Sequence, residues 1–242
     1  MRILLSIDDT DNLESRGTGE LASLIAEDLE LFGWGRSRHV TRHQLLLHPD
    51  IPYTSHNSAM CFEAEIDEEA LEPLIRHAGA FLQRESAPGS DPGLCVAVVD
   101  RVAGVEMLHF GERAKETVLT KEEAYALAAR LGVHLSEHGG TGQGVVGALA
   151  GAGLRLGGND GRMKGSLDIA GVMSVADLLG VPGVDAIQGM EGETVAPEDL
   201  VRVADKPKTV MVGGRSVLMV APAQPEDGVR WQTLHRRELR RF

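Results

Sequence analysis

The sequence predicts an α/β (α+β) protein, with mixed sheets, helices packed on them and a small β-rich C-terminal tail. Three observations carry this. An apolar run, Ile3-Leu4-Leu5-Ser6-Ile7, opens the chain as a buried strand. Segments with helical periodicity then alternate with strand-like ones. Finally, the last fifty or so residues break into short apolar runs separated by glycine and proline.

Taken in order, the first strand ends in Asp8-Asp9-Thr10-Asp11. Leu21, Leu24, Ile25, Leu29 and Phe32 recur at helical spacing, and Gly33 marks a stop. Strands follow over 38–48 and 57–66, divided by His48-Pro49-Asp50-Ile51-Pro52, whose prolines enforce an extended or turning chain. Residues 67–85 read as a helix capped by Asp67, with acids in its first turn. A loop over 86–93 leads to a buried strand, Leu94–Val99. Thr120 and Glu123 form a capping box for a helix that Gly132 ends. Runs at 209–212, 216–221 and 229–234 make a β-meander with a hairpin turn at Gly213-Gly214. The expected division is 1–195, a nucleotide-binding region, and 196–242, the β-rich segment.

Composition narrows the function. The formal net charge is −12, which argues against broad non-specific nucleic-acid binding. Arg36, Arg38, His39, Arg42 and His43 form a basic cluster, as do Arg236, Arg237, Arg240 and Arg241, and both read as solvated surface. No apolar stretch reaches the length of a membrane span, and no signal-peptide core follows Met1, so the expected location is cytoplasmic and no membrane partner is expected. Cys61 and Cys95 sit in apolar runs as buried thiols without zinc spacing.

Two regions point to chemistry. Bunched carboxylates raise one another's pKa unless a cation sits among them, so Asp8, Asp9 and Asp11 are candidate Mg²⁺ ligands and catalytic residues. The alternative is an acidic turn capping the next helix. The second region is Gly139-Gly140-Thr141-Gly142-Gln143-Gly144, a glycine-rich loop entering an apolar helix. Such a loop can bring backbone N–H groups to a phosphate, or simply allow close helix packing. It carries no Walker lysine. Lys164 and Arg162, in a second glycine cluster, are candidate phosphate partners or exposed hairpin charges. His138 is a candidate acid or base, or a structural loop histidine.

These residues resemble a known family. Ile7-Asp8-Asp9-Thr10-Asp11-Asn12 is similar to the I-D-D-T-D-S signature of the archaeal tRNA-isoleucine agmatinylcytidine synthetases, the TiaS family. Leu47-His48-Pro49-Asp50-Ile51-Pro52-Tyr53, Asn57-Ser58-Ala59, Asp91-Pro92-Gly93 and 140–150 resemble four further segments of that family in the same order. The resemblance covers roughly residues 1–190 and implies an ATP-using, kinase-like domain in which Asp8, Asp9 and Asp11 hold Mg²⁺ with the ATP phosphates. Thr10 and the 139–144 loop would then join in nucleotide binding. It also implies a phosphorylated threonine, for which Thr18 is the match, although Arg16-Gly17-Thr18-Gly19 departs from the family's C-T-T-Y. Where the family has G-R-G, this chain has Gly140-Thr141-Gly142-Gln143-Gly144 and so one positive charge fewer. No segment resembles the family's agmatine-binding, OB-fold or zinc-ribbon modules.

The expected function is therefore Mg-ATP-dependent phosphoryl transfer or ligase-like chemistry related to that of the tRNA-modifying family, with the acceptor, a small molecule or a nucleoside-like group, left open. The expected cofactors are ATP and magnesium. The expected partners are a nucleotide and, through a partner chain, RNA; an oligomer is left open. The alternative is a non-catalytic nucleotide-binding subunit that works with domains supplied by a partner chain. A dehalogenase-like phosphatase, with Asp9 as nucleophile and Asp11 as acid, is a third and weaker fit, since its later acidic motif is not apparent.

Overall fold

The computed structural model describes residues 1–51, 57–224 and 228–242. Pro52 and Tyr53 of the family-like segment, and Pro225-Glu226-Asp227 of the last turn, lie outside these residues. The chain forms two compact units, Met1–Gly157 and Gly158–Phe242.

The first unit is built on an antiparallel sheet. Its central strand β1 (Arg2–Asp8) pairs with β4 (Ser58–Ile66) on one side and β5 (Gly93–Val98) on the other. β2 (Gly35–Ser37) and β3 (Thr41–Gln44) pair with successive stretches of β4, and β6 (His134–Glu137) pairs with β5. Residues of a strand alternate between faces. Ile3, Leu5 and Ile7 accordingly enter one core with α1 (Thr18–Leu31) and α2 (Leu71–Glu85). Ser6 and Asp8 face the other side, where α5 (Gly144–Gly157) lies on the sheet with α3 (Gly104–Arg113) and α4 (Lys121–Leu131) around it.

Glycine sets how closely α5 approaches. A side chain at Gly147 would collide with the carboxylate of Asp8, and one at Gly151 would meet Ser6 Oγ and Ala59 Cβ at 2.7 and 2.6 Å. These glycines lie four residues apart, on one helix face. The packing use of glycine in this segment is therefore realised.

Several expectations are met closely. Thr120 and Glu123 form the capping box of α4, and Gly132 ends it at φ 66°. Gly33, at φ 70°, follows α1. Other expectations shift. The strand expected over 38–48 narrows to β3, and the helix expected from Asp67 begins with a short 3₁₀ turn, with no capping bond from the Asp67 side chain. Helix α3 is an addition to the expected elements.

The second unit holds β7 (Arg162–Met163), β8 (Gly171–Ser174), α6 (Val175–Leu179), β9 (Ala186–Gly189), β10 (Leu200–Val203), β11 (Val210–Val212), β12 (Arg215–Pro222) and β13 (Trp231–Thr233). Its sheet is mixed: β9 runs parallel to β12 and β10 parallel to β13, while β11–β12 and β12–β13 are antiparallel. Gly213 and Gly214, at φ 57° and 73°, make the expected hairpin turn. The sequence places a boundary at 195–196, whereas the compact units divide at 157–158. The reason is that residues 171–189 pair with the later strands: β8 with β10, and β9 with β12.

Candidate active site

The sheet of the first unit ends in a cavity of about 640 Å³ at the C-terminal end of β1. Its walls include Asp8, Asp9 and Asp11, the first residues of α1, α4 and α5, and the side chains of Arg42, Asp50, Asn57 and Ser58. The first residues of three helices therefore line one space, and a helix N-terminus carries partial positive charge.

The aspartates differ in setting. Asp8 is buried against α5, and its carboxyl is pushed up to about 8, first by burial and then by Asp9, with Asp11 adding to the repulsion. Asp9 is half-buried and pushed up to about 6, again first by burial and then by Asp91 and Asp11; the backbone N–H of Asp91, which donates to Asp9, opposes this. Asp9 also holds φ 51°, a left-handed conformation uncommon for a non-glycine residue. Asp11 accepts a 2.9 Å bond from the Thr18 hydroxyl, and Thr18 Oγ1 in turn accepts one from Thr10 Oγ1 at 3.1 Å. Thr10 is thus fully buried as the anchor of this relay and does not line the cavity, while Thr18 does.

The donor set suits a hard divalent cation. Among the described residues no group of three or more histidine, cysteine or acidic side chains is placed to hold a metal alone. Mg²⁺ is usually held by one or two carboxylates together with water and substrate phosphates. A cation among Asp8, Asp9 and Asp11 would relieve their repulsion.

The glycine-rich loop is divided. Gln143 and Gly144 line the cavity, but Gly139, Gly140, Thr141 and Gly142 do not. Asp91 occupies the loop: its carboxylate accepts bonds from the Thr141 N–H and hydroxyl, and its carbonyl accepts the Gly144 N–H at 3.0 Å. Side chains at Gly140 and Gly142 would collide with Asp91 and Glu137. These glycines thus admit carboxylates of the protein itself. The first N–H groups of α5 are also paired, Val145 with Gly142 O and Val146 with Gln143 O.

Lys164 and Arg162 belong to the second unit, and every residue lining the cavity belongs to the first. His138, in the first unit, does not line it. Its Nε2 bonds Ser136 Oγ at 2.8 Å, and its ring packs on Gly79 of α2. Sequence reasoning misses Lys121 and treats Arg42 as solvated surface. Arg42 lines the cavity and donates to Ser58 Oγ at 3.0 and 2.9 Å. Lys121 is detectable in the sequence only as the residue after a strong helix cap.

No protein-family model matches the chain. Curated relatives do. A tRNA-isoleucine 2-agmatinylcytidine synthetase, TiaS, of Archaeoglobus fulgidus is 31% identical over 168 residues, covering 64% of this chain and 36% of the relative. The Pyrobaculum neutrophilum enzyme of the same name is 33% identical over 162 residues, covering 63% and 35%. The chain thus spans about a third of the length of the curated relatives it matches. Among solved structures, the complex of TiaS with its isoleucine tRNA and ATP superimposes with a TM-score of 0.55 at 27% identity, covering 63% of this chain and 36% of that one. Apo TiaS gives 0.54 at 26% identity, covering 63% and 35%. The similarity is that of a segment like the N-terminal domain of TiaS, and it extends to the mixed α/β fold.

Proposed function

We propose that this protein binds Mg-ATP in the cavity at the end of β1 and carries out phosphoryl transfer, or a ligase-like reaction driven by it. One observation carries the reading: Asp8, Asp9 and Asp11 line the same cavity as the N-terminal turns of α1, α4 and α5. Phosphoryl transfer depends mainly on positioning and on charge stabilisation, and this arrangement offers both. Magnesium bound at the aspartates would neutralise phosphate charge.

The residues of the chain divide the remaining work. Asp8, Asp9 and Asp11, which all line the cavity, would hold the metal. Thr18 presents a hydroxyl whose proton already points to the Asp11 carboxylate. Arg42, and the dipoles of the helices, offer positive potential to phosphate oxygens. The similarity to TiaS supports ATP use, since one of the matched structures is a complex of TiaS with tRNA and ATP. By the same likeness, an RNA acceptor delivered by a partner chain is part of this proposal.

The test is calorimetric titration of Mg-ATP into wild type and an Asp8→Asn/Asp9→Asn variant, with EDTA as control. Metal-dependent binding by the wild type that the variant loses supports the site. Equal binding by both removes the aspartates from it, and no binding to the wild type overturns the reading. ATP turnover then separates an enzyme from a nucleotide-binding subunit.

A further inference from the structure

We infer that Lys121 is, in addition to Arg42, a cation that meets the nucleotide phosphates, and that Glu137 and the carbonyl of Thr141 hold it in place for that role; this rests on the nucleotide reading above. Lys121 is the first residue of α4, and it lines the cavity. A cation at a helix N-terminus opposes the helix dipole, which favours acids there. Its position is therefore not explained by helix stability, whereas Glu122 and Glu123 beside it follow the usual preference.

The contacts of Lys121 fix its ammonium without using it fully. It donates to Glu137 Oε2 at 3.0 Å and to the carbonyl of Thr141. An ammonium has three donors, so a third can serve a ligand. Glu137 is itself pinned, because its other oxygen accepts from Tyr125 OH at 3.1 Å. Lys121 and Tyr125 lie one turn apart on α4, so one helix face grips Glu137 at both oxygens. Through Thr141 the ammonium is also tied to the loop that Asp91 holds. The cavity carries Asp8, Asp9, Asp11, Asp50 and Glu122, a strongly negative wall for a polyphosphate. Lys121 brings a positive charge to the same lining.

The experiment is titration of Mg-ATP into wild type, Lys121→Met, Lys121→Arg, Glu137→Gln and the Lys121→Met/Glu137→Gln double variant, with thermal melting of each to confirm folding. Lys121→Met is expected to weaken Mg-ATP binding about tenfold or more, the scale of one lost charge-assisted hydrogen bond. Lys121→Arg is expected to recover most of that loss. Glu137→Gln is expected to change affinity in the wild-type background and to change nothing once Lys121 is gone. Wild-type affinity in Lys121→Met overturns the inference and leaves the nucleotide reading standing. Equal weakening in Lys121→Met and Lys121→Arg overturns it too, because the residue would then act through packing alone. Failure of the wild type itself to bind Mg-ATP overturns both readings.

Discussion

Gly147 of α5 lies so close to Asp8 that a methyl group on its α-carbon would take the place of the carboxylate oxygen Oδ2. The burial that shifts Asp8 is therefore a consequence of glycine one helix turn into α5. Gly147→Ala should cost about 1–3 kcal/mol of stability, as overpacking does, and should also displace Asp8. Gly151→Ala meets Ser6 and Ala59 instead. It should destabilise comparably while leaving Mg-ATP binding nearer to wild type. Urea unfolding and calorimetry on both variants make the comparison. Equal loss of binding in the two would detach Gly147 from the site.

The shift of Asp8 has a defined sign. Its carboxyl is pushed up to about 8 in the folded chain, chiefly by burial, above the ordinary carboxylate value that the unfolded chain keeps. The folded state therefore holds this proton more tightly. The associated stabilisation is complete below the unfolded value and is lost as pH rises through the folded one. With EDTA present, these carboxyls should lower the melting temperature of wild type between about pH 4 and about pH 8, with Asp9 contributing in the lower part of that range. Asp8→Asn has no such proton to lose, and its melting temperature should fall less steeply over the same range. A variant slope as steep as that of the wild type would place the charge burden elsewhere.

Where sequence sufficed and where it did not has a physical pattern. The β1 run, the acidic turn, the Thr120–Glu123 capping box and the Gly213-Gly214 hairpin are local devices, set by residues a few positions apart. Helix α3 is not local in this sense. Its Gly111 is needed because a side chain there would strike the Ala150 carbonyl and Leu154 of α5, which lies far along the chain. The loop at 139–142 shows the same limit. Its glycines suit an external anion equally well, and only the fold reveals that Asp91, fifty positions earlier in the chain, occupies it. Lys121 and Arg42 carry no motif, and their place at the cavity follows from how α4 and β3 are docked.

Asp91 makes the loop testable on its own. Asp91→Ala removes the acceptors for the Thr141 N–H and hydroxyl, which should cost about 1–2 kcal/mol and speed hydrogen exchange across 139–142. Asp91→Asn keeps one oxygen for Thr141 and removes the charge that, after burial, does most to raise Asp9. Asp9 should then titrate lower, seen as a shift of its carboxyl resonance in NMR. Unchanged exchange in Asp91→Ala would mean that the loop is held by other contacts.

Thr18 offers the most direct chemical test. Its hydroxyl lines the cavity and donates to Asp11 at 2.9 Å, so an acceptor for its proton is already aligned. Transfer of the γ-phosphoryl group would form a bond between phosphorus and Thr18 Oγ1, break the bond to the bridging oxygen of ADP, and send the hydroxyl proton to Asp11. Incubation with Mg-ATP should therefore add one phosphoryl mass to the wild-type chain, mapped to Thr18 by peptide mass spectrometry. Thr18→Val should lack it, and Asp11→Asn should acquire it far more slowly, within the roughly 10²–10⁴-fold range of general-base effects. ATP turnover at the wild-type rate by Thr18→Val, with no adduct on the wild type, would assign the acceptor to another molecule and leave Thr18 as the hydroxyl that links Thr10 to Asp11.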